Sequence, residues 1–232
     1  MSNQSLRIIH REDLPVGGFA GIVETHMVKS PMIWKDAGKR QDISHGLGDF
    51  IYLASGYFKP NDGAPLHPHN DVDIVSVILN GSVGHKGTLG DGTVIEGPGV
   101  QVQRAGRGMQ HAEFSLNDTQ AEIIQIWFLP PEHGLTSAYQ NFALQQGELT
   151  TVLGGNSDNT FHSNMTAQVG FISKEQTINV NQPFVAMITQ GSAQANGIAV
   201  TAGDLIEGEQ MQLESEENFG LVLIRESLQA SA

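Results

Sequence analysis

The chain contains no cysteine. That removes disulfide frameworks, thiolate zinc or iron–sulfur sites and every thiol nucleophile. Basic residues are scarce as well: 12 Lys and Arg stand against 25 Asp and Glu, a formal charge of −13. A nucleic-acid backbone would be repelled, and no basic patch is present to overcome the repulsion. No stretch approaches the ~18 apolar residues of a membrane span. The first residues, Met1-Ser2-Asn3-Gln4-Ser5-Leu6-Arg7, lack the apolar run of a signal peptide. The expectation is a cytoplasmic protein with no nucleic-acid or membrane partner. Long i, i+3, i+4, i+7 patterns are also hard to find, so a coiled coil is not expected.

What is present is glycine, 27 in 232 residues, punctuating short apolar runs as in a turn-rich, all-β protein. Val72 to Leu79 reads as a strand running into Asn80-Gly81, a pair that favours a tight hairpin turn. Gly90-Asp91-Gly92 is a second turn, and Gly97-Pro98-Gly99 breaks the chain before a strand from Val100 to Arg104. Glu122 to Leu129 is a further strand, stopped by Pro130-Pro131. Strands at this spacing suggest a barrel or sandwich.

The double proline also reads as a boundary, dividing the chain into units 1–132 and 133–232. The second unit looks like a copy of the first. Ile78-Leu79-Asn80-Gly81-Ser82-Val83 has a counterpart in Ile188-Thr189-Gln190-Gly191-Ser192-Ala193, at an offset of 110 residues. An interval of that length is a duplicated domain, with Ala202-Gly203-Asp204 as another turn of the copy. Beyond Glu132 only Lys174 and Arg225 are basic, against ten acids, which reads as a solvated acidic face.

Two short segments carry the chemistry: His67-Pro68-His69 and His111-Ala112-Glu113. In an extended strand, residues i and i+2 project to the same face, so each segment offers two ligand atoms pointing one way. Two such strands facing inward would bring all four side chains together around one ion. Imidazole with carboxylate suits Fe, Mn, Ni, Co, Cu or Zn, and four protein ligands on an octahedral ion leave about two positions open. Open positions mark a catalytic type of site. Between the pairs, His85 reads either as a partner orienting a ligand histidine or as an exposed turn residue. Arg107 in Ala105-Gly106-Arg107-Gly108 reads as a solvated turn arginine, or as a partner for an acid near the site. His10, His26, His45, His133 and His162 lack paired spacing. Between Phe184 and Glu226 there is no histidine, so the second unit repeats the fold without the ligands.

The stretch from His67-Pro68-His69 through the strand ending at Asn80-Gly81, with Ala105-Gly106-Arg107-Gly108 and the closing His111-Ala112-Glu113, closely resembles the signature of the pirin family within the cupin superfamily. The resemblance implies two tandem cupin barrels of the double-stranded β-helix or jelly-roll type, a bicupin. It implies a single divalent transition metal, Fe(II), in the N-terminal barrel on His67, His69, His111 and Glu113. It further implies dioxygenase activity of the quercetin 2,3-dioxygenase type, in which a flavonoid-like enolic or phenolic substrate is opened by O2 with release of carbon monoxide. Glu113 would then act as ligand and as base toward the substrate hydroxyl. The other reading is a metal-dependent regulatory module that binds a protein partner, a role for which the acidic C-terminal half is suited. Asn70-Asp71-Val72-Asp73-Ile74, His85-Lys86-Gly87-Thr88 and Pro98-Gly99 depart from the usual pattern. None is an expected ligand, so the departures bear on the pocket lining.

Overall fold

The computed structural model describes residues 6–227, which form antiparallel strands and two short 3-10 turns. In chain order the first are β1 (Arg7–His10), β2 (Val16–Phe19), β3 (Ile22–Lys29), β4 (Phe50–Phe58), β5 (Gly63–His69) and β6 (Asp73–Asn80). There follow β7 (Ser82–Gly87), β8 (Val94–Glu96), β9 (Gly99–Arg104), β10 (Met109–Ser115), β11 (Ala121–Phe128) and β12 (Ala138–Ala143). Next come β13 (Glu148–Leu153), β14 (Met165–Ile172), β15 (Thr177–Val180), β16 (Phe184–Gln190) and β17 (Ser192–Ala195). The last are β18 (Ile198–Thr201), β19 (Asp204–Gly208), β20 (Met211–Glu214) and β21 (Phe219–Glu226).

These make two barrels with one plan. In the first, a large sheet ordered β12-β9-β6-β11-β4-β3-β2 closes against a small one ordered β5-β10-β7-β8. The second repeats it, β1-β19-β16-β21-β14-β13 against β15-β20-β17-β18. The two similar barrels expected from the repeat, and the bicupin jelly roll implied by the resemblance, are therefore present. One local expectation is corrected. Asn80-Gly81 does not close a hairpin, because β6 belongs to the large sheet and β7 to the small one. Only Gly81 of the pair takes a positive φ, +84°, and the chain turns a corner between sheets where a two-residue hairpin would need both residues there. Gly191, φ +72°, makes the equivalent corner between β16 and β17.

The sheets do not part at residue 132. β12, beyond the double proline, pairs with β9 from Ala138 opposite Arg104 to Ala143 opposite Gly99. β1, from the start of the chain, pairs with β19 of the second barrel. Each unit thus covers an edge strand of the other's large sheet, an edge that would otherwise expose unpaired backbone groups.

The two large sheets also stack on each other. Their outer rows, Leu53, Val75, Val77, Ile124 and Ile126 from one and Val169, Val185, Met187, Val222 and Ile224 from the other, form a single buried cluster. At ~1.5–3 kcal/mol for each fully buried aliphatic side chain, this shared core holds the pair of barrels as one body. A buried ion pair ties it further: Asp73 accepts Nε and Nη2 of Arg104 at 2.9 and 2.5 Å, and Arg104 also donates to the His162 carbonyl at 2.7 Å.

Candidate metal centre

The inner face of the first barrel's small sheet carries the expected residues. β5 and β10 are hydrogen-bonded neighbours whose register sets His111 opposite His67 and Met109 opposite His69. Strand alternation then turns His67, His69 and His111 toward one point. The Nε2 atoms of His67 and His111 lie 3.1 Å apart, and ligand nitrogens of the three histidines all fall within 4.8 Å of one another. His67 and His69 are half-buried and His111 is buried, so the cluster sits at the barrel mouth. Glu113, beyond a bulge that shifts its partner to Ala64, is fully buried. It does not belong to the group of mutually close ligand atoms. Its Oε1 accepts from Ser76 Oγ at 3.4 Å and from Gln101 Nε2, and its Oε2 accepts from Gln125 Nε2 at 2.8 Å.

Burial and repulsion from neighbouring rings keep the His69 and His111 imidazoles neutral. His111 is pushed down to about 2, chiefly by burial and then by His69, His67 and His85. His69 falls to about 4, by burial and by His67. Neutral imidazole is the metal-binding form, so the lone pairs are available at pH 7. His67 has its tautomer set by the backbone: Nδ1 donates to the Pro65 carbonyl at 2.7 Å, which leaves the Nε2 lone pair facing the cluster. Burial pushes the Glu113 carboxyl up to about 7, against the bonds from Ser76, Gln101 and Gln125. A cation beside it would hold it ionised. Donor types, neutral nitrogens and a buried carboxyl together fit a borderline divalent ion.

An aromatic wall flanks the cluster. Trp127 meets His69 edge-on at 5.4 Å between ring centres, stacks on Tyr52 at 4.6 Å, and Tyr52 reaches Trp34 at 5.7 Å. The Tyr52 hydroxyl donates to Glu24 at 3.3 Å, and burial raises its pKa well above the usual phenol range.

His85, left open between two readings, is buried at 1% exposure and touches His111. Arg107 is a turn residue whose Nε donates to the Gly134 carbonyl at 2.9 Å. His10 and His26 pair with Asp204 and Glu24.

Sequence reasoning missed Ser76, Gln101, Gln125, Trp127 and Tyr139. Tyr139 comes from β12: its hydroxyl donates to Gln101 Oε1 at 3.0 Å and its ring lies 5.3 Å from that of His85. Gly90 makes room for it, since a Cβ there would fall 2.6 Å from the Tyr139 ring on a backbone already at φ +61°. A usable signal was the pair Gln101 and Gln103 in a strand otherwise built of buried Val100 and Val102. Amides at buried strand positions require partners.

Comparison with known proteins matches residues 24–128 to the family model described as Pirin. A Pirin-like protein of Caulobacter vibrioides is 35% identical over 104 residues, 43% of this chain, and the chain spans only 44% of that relative's length. A quercetin 2,3-dioxygenase of Escherichia coli is 24% identical over 199 residues, 73% of this chain and 86% of the relative. The solved structure of the bacterial pirin YhhW from Escherichia coli, in complex with nickel(II), superposes with a TM-score of 0.80 over 95% of this chain and 98% of that one, at 17% identity. That identity bears on fold alone. Among the described residues no helix is long and apolar enough to cross a membrane.

Proposed function

Because residues 24–128 form a pirin domain, we propose that the chain is a mononuclear non-haem metal protein that opens an enolic or phenolic, flavonoid-like ring with O2, in the manner of a quercetin 2,3-dioxygenase. The observation that carries the reading is the convergence of three imidazoles at a barrel mouth, beside a buried carboxyl and an aromatic wall. His67, His69, His111 and Glu113 would hold one divalent ion, Fe(II) first, with Mn, Ni, Co, Cu or Zn as alternatives. Such an ion, when bound, supplies a Lewis-acidic and redox-capable centre with positions free beyond its protein ligands.

The chain's own groups then divide the work. Trp127, backed by the buried Tyr52, offers a flat apolar face against which a planar ring can lie. Glu113, held ionised by the ion beside it, would take the substrate hydroxyl proton, while Gln101, Gln125 and Ser76 fix its two oxygens. The metal-binding labour belongs to unit 1–132, and unit 133–232 contributes β12 and the shared core without ligands of its own. We place the protein in the cytoplasm, acting on a small molecule without nucleic acid or membrane.

The test pairs elemental analysis with O2 uptake on quercetin. Wild type is expected to carry about one metal per chain, and His69→Ala and His111→Ala to carry none. Glu113→Gln is expected to lose ~10²–10⁴-fold in kcat. Full metal retention in both histidine variants would remove the site. Absence of turnover by protein loaded in turn with iron, manganese, nickel, cobalt and copper would leave the metal-dependent binding module in its place.

A further inference from the structure

His85 stands behind the cluster on β7, opposite Glu113 of β10. Its Nε2 lies 3.3 Å from His111 Nδ1 and 3.0 Å from Gln103 Oε1, and its Nδ1 lies 3.3 Å from the Gly90 carbonyl oxygen. We propose that His85 is the positioning residue that holds His111 in its metal-binding tautomer, accepting the His111 Nδ1 proton on Nε2 and donating its own Nδ1 proton to the Gly90 carbonyl. The inference rests on the metal reading of His67, His69 and His111.

One proton on each neutral ring fixes the tautomers. His111 Nε2 faces His67 Nε2, so for that nitrogen to offer a lone pair, the single proton of the neutral ring must sit on Nδ1. The partner beside Nδ1 is His85 Nε2, which must then accept. A neutral His85 that accepts through Nε2 carries its proton on Nδ1, and Nδ1 points at a carbonyl oxygen that can accept it. From His111 to the Gly90 carbonyl each donor meets an acceptor; Gln103 Oε1, 3.0 Å from the bare His85 Nε2, completes the arrangement when its amide turns by 180°, which brings its buried and otherwise unpartnered Nε2 to donate there.

The opposite tautomer fails at both ends. With its proton on Nε2, His85 donates to Gln103 Oε1 or to His111 Nδ1, and its bare Nδ1 faces the Gly90 oxygen, two acceptors in contact. If His111 Nδ1 accepts, its own proton moves to Nε2 and blocks the lone pair that the cluster needs. Gln103 can serve either tautomer, its Oε1 accepting from a protonated His85 Nε2 and, with the amide turned, its otherwise unpartnered Nε2 donating to a bare one. His67 is set by a backbone carbonyl, which has one role. His111 is set by a side chain that has two.

The test uses the full chain and Zn2+ as a diamagnetic probe, reading histidine tautomers by long-range proton–nitrogen NMR and affinity by competition. On loading, His85 is expected to show a protonated Nδ1 and a bare Nε2. His85→Leu should weaken Zn2+ binding by ~10–100-fold, the usual cost of losing a group that orients a ligand histidine. His85→Gln, whose amide oxygen can accept from His111 Nδ1, should recover most of it. A His85 that keeps its Nε2 proton in the loaded wild type, or a folded His85→Leu that binds as wild type does, overturns the proposal. Unchanged binding in His111→Ala would instead overturn the metal reading beneath it.

Discussion

Ser76 of the first barrel lies opposite Gln125 on one side and Gln101 on the other, whereas in the second barrel Ala186 lies opposite Leu223 and Ile206. His111 faces His67, with Met109 facing His69; Leu213 faces Ile178, with Met211 facing Val180. The ladders are the same and the side chains are exchanged, polar for apolar, position by position. The second interior is consequently one continuous apolar cluster running from Ile172 to Leu223. Apolar side chains of the first fall into separate groups around Ile123, Ile74 and Tyr52. A jelly-roll register thus accepts either content, and the polar one forgoes burial worth ~1.5–3 kcal/mol for each large aliphatic given up. In this chain the second barrel and the shared core make up the difference.

The largest effect expected from that comparison is on the first barrel alone. A fragment covering 1–132 lacks β12, leaves the β9 edge open and loses the second barrel's side of the shared core. It is expected to show no cooperative unfolding transition by circular dichroism and no dispersed NMR spectrum. A folded, metal-binding fragment would show that the first barrel needs no support from the second.

Exchanging content between the barrels sharpens the same point. Leu213→His should cost about 3 kcal/mol or more in urea unfolding, combining lost burial with an imidazole that has no partner among Ile178, Val180 and Ala186. It should bring no second equivalent of metal. The reciprocal His111→Leu should abolish metal binding while leaving the metal-free protein as stable as wild type or more so, since an apolar replacement needs no hydrogen bond. Equal destabilisation by both changes would contradict the picture of a site maintained against stability.

Much of this was written in the residues, and what was hidden was hidden for a physical reason. The i, i+2 spacing of His67-Pro68-His69 and His111-Ala112-Glu113 is a local property, so strand alternation was enough to turn each pair one way. The repeat around Gly81 and Gly191 was legible because both corners need a glycine at positive φ. Strand pairing is not local. Nothing around Tyr139 reveals that β12 returns across the boundary to β9, and Ser76, Gln101 and Gln125 become one cradle only when β6, β9 and β11 lie side by side. The position of Asn80-Gly81 as a corner was likewise set by the partners that β6 and β7 find, which a two-residue turn signal does not encode.

A smaller effect tests the returning strand. Tyr139→Phe removes the hydroxyl that holds Gln101, which in turn holds Glu113. The loss should be about 1 kcal/mol in chemical denaturation. Metal content should remain that of wild type, because no histidine of the cluster bonds to Tyr139.

The smallest effect lies on the other exchanged strand. His10 of β1 sits opposite Asp204 of β19, and its Nδ1 lies 2.6 Å from Asp204 Oδ1. The bond to Asp204 raises the imidazole above its ordinary 6.5, with burial opposing. A histidine whose proton is held more tightly in the folded than in the unfolded chain contributes stability in full below the unfolded value, and loses it as pH rises through the folded one. The melting temperature should therefore decline as pH rises above 6.5, and the decline should be shallower in His10→Asn. The change will be slight, because the His10 side chain is 47% exposed and solvent screens the pair. Its value is in its location. A slope that becomes shallower in His10→Asn while Zn2+ affinity stays constant would show that β1 secures the second barrel without reaching the histidine cluster of the first, whereas β12, through Tyr139, secures the first barrel and reaches the residues behind that cluster.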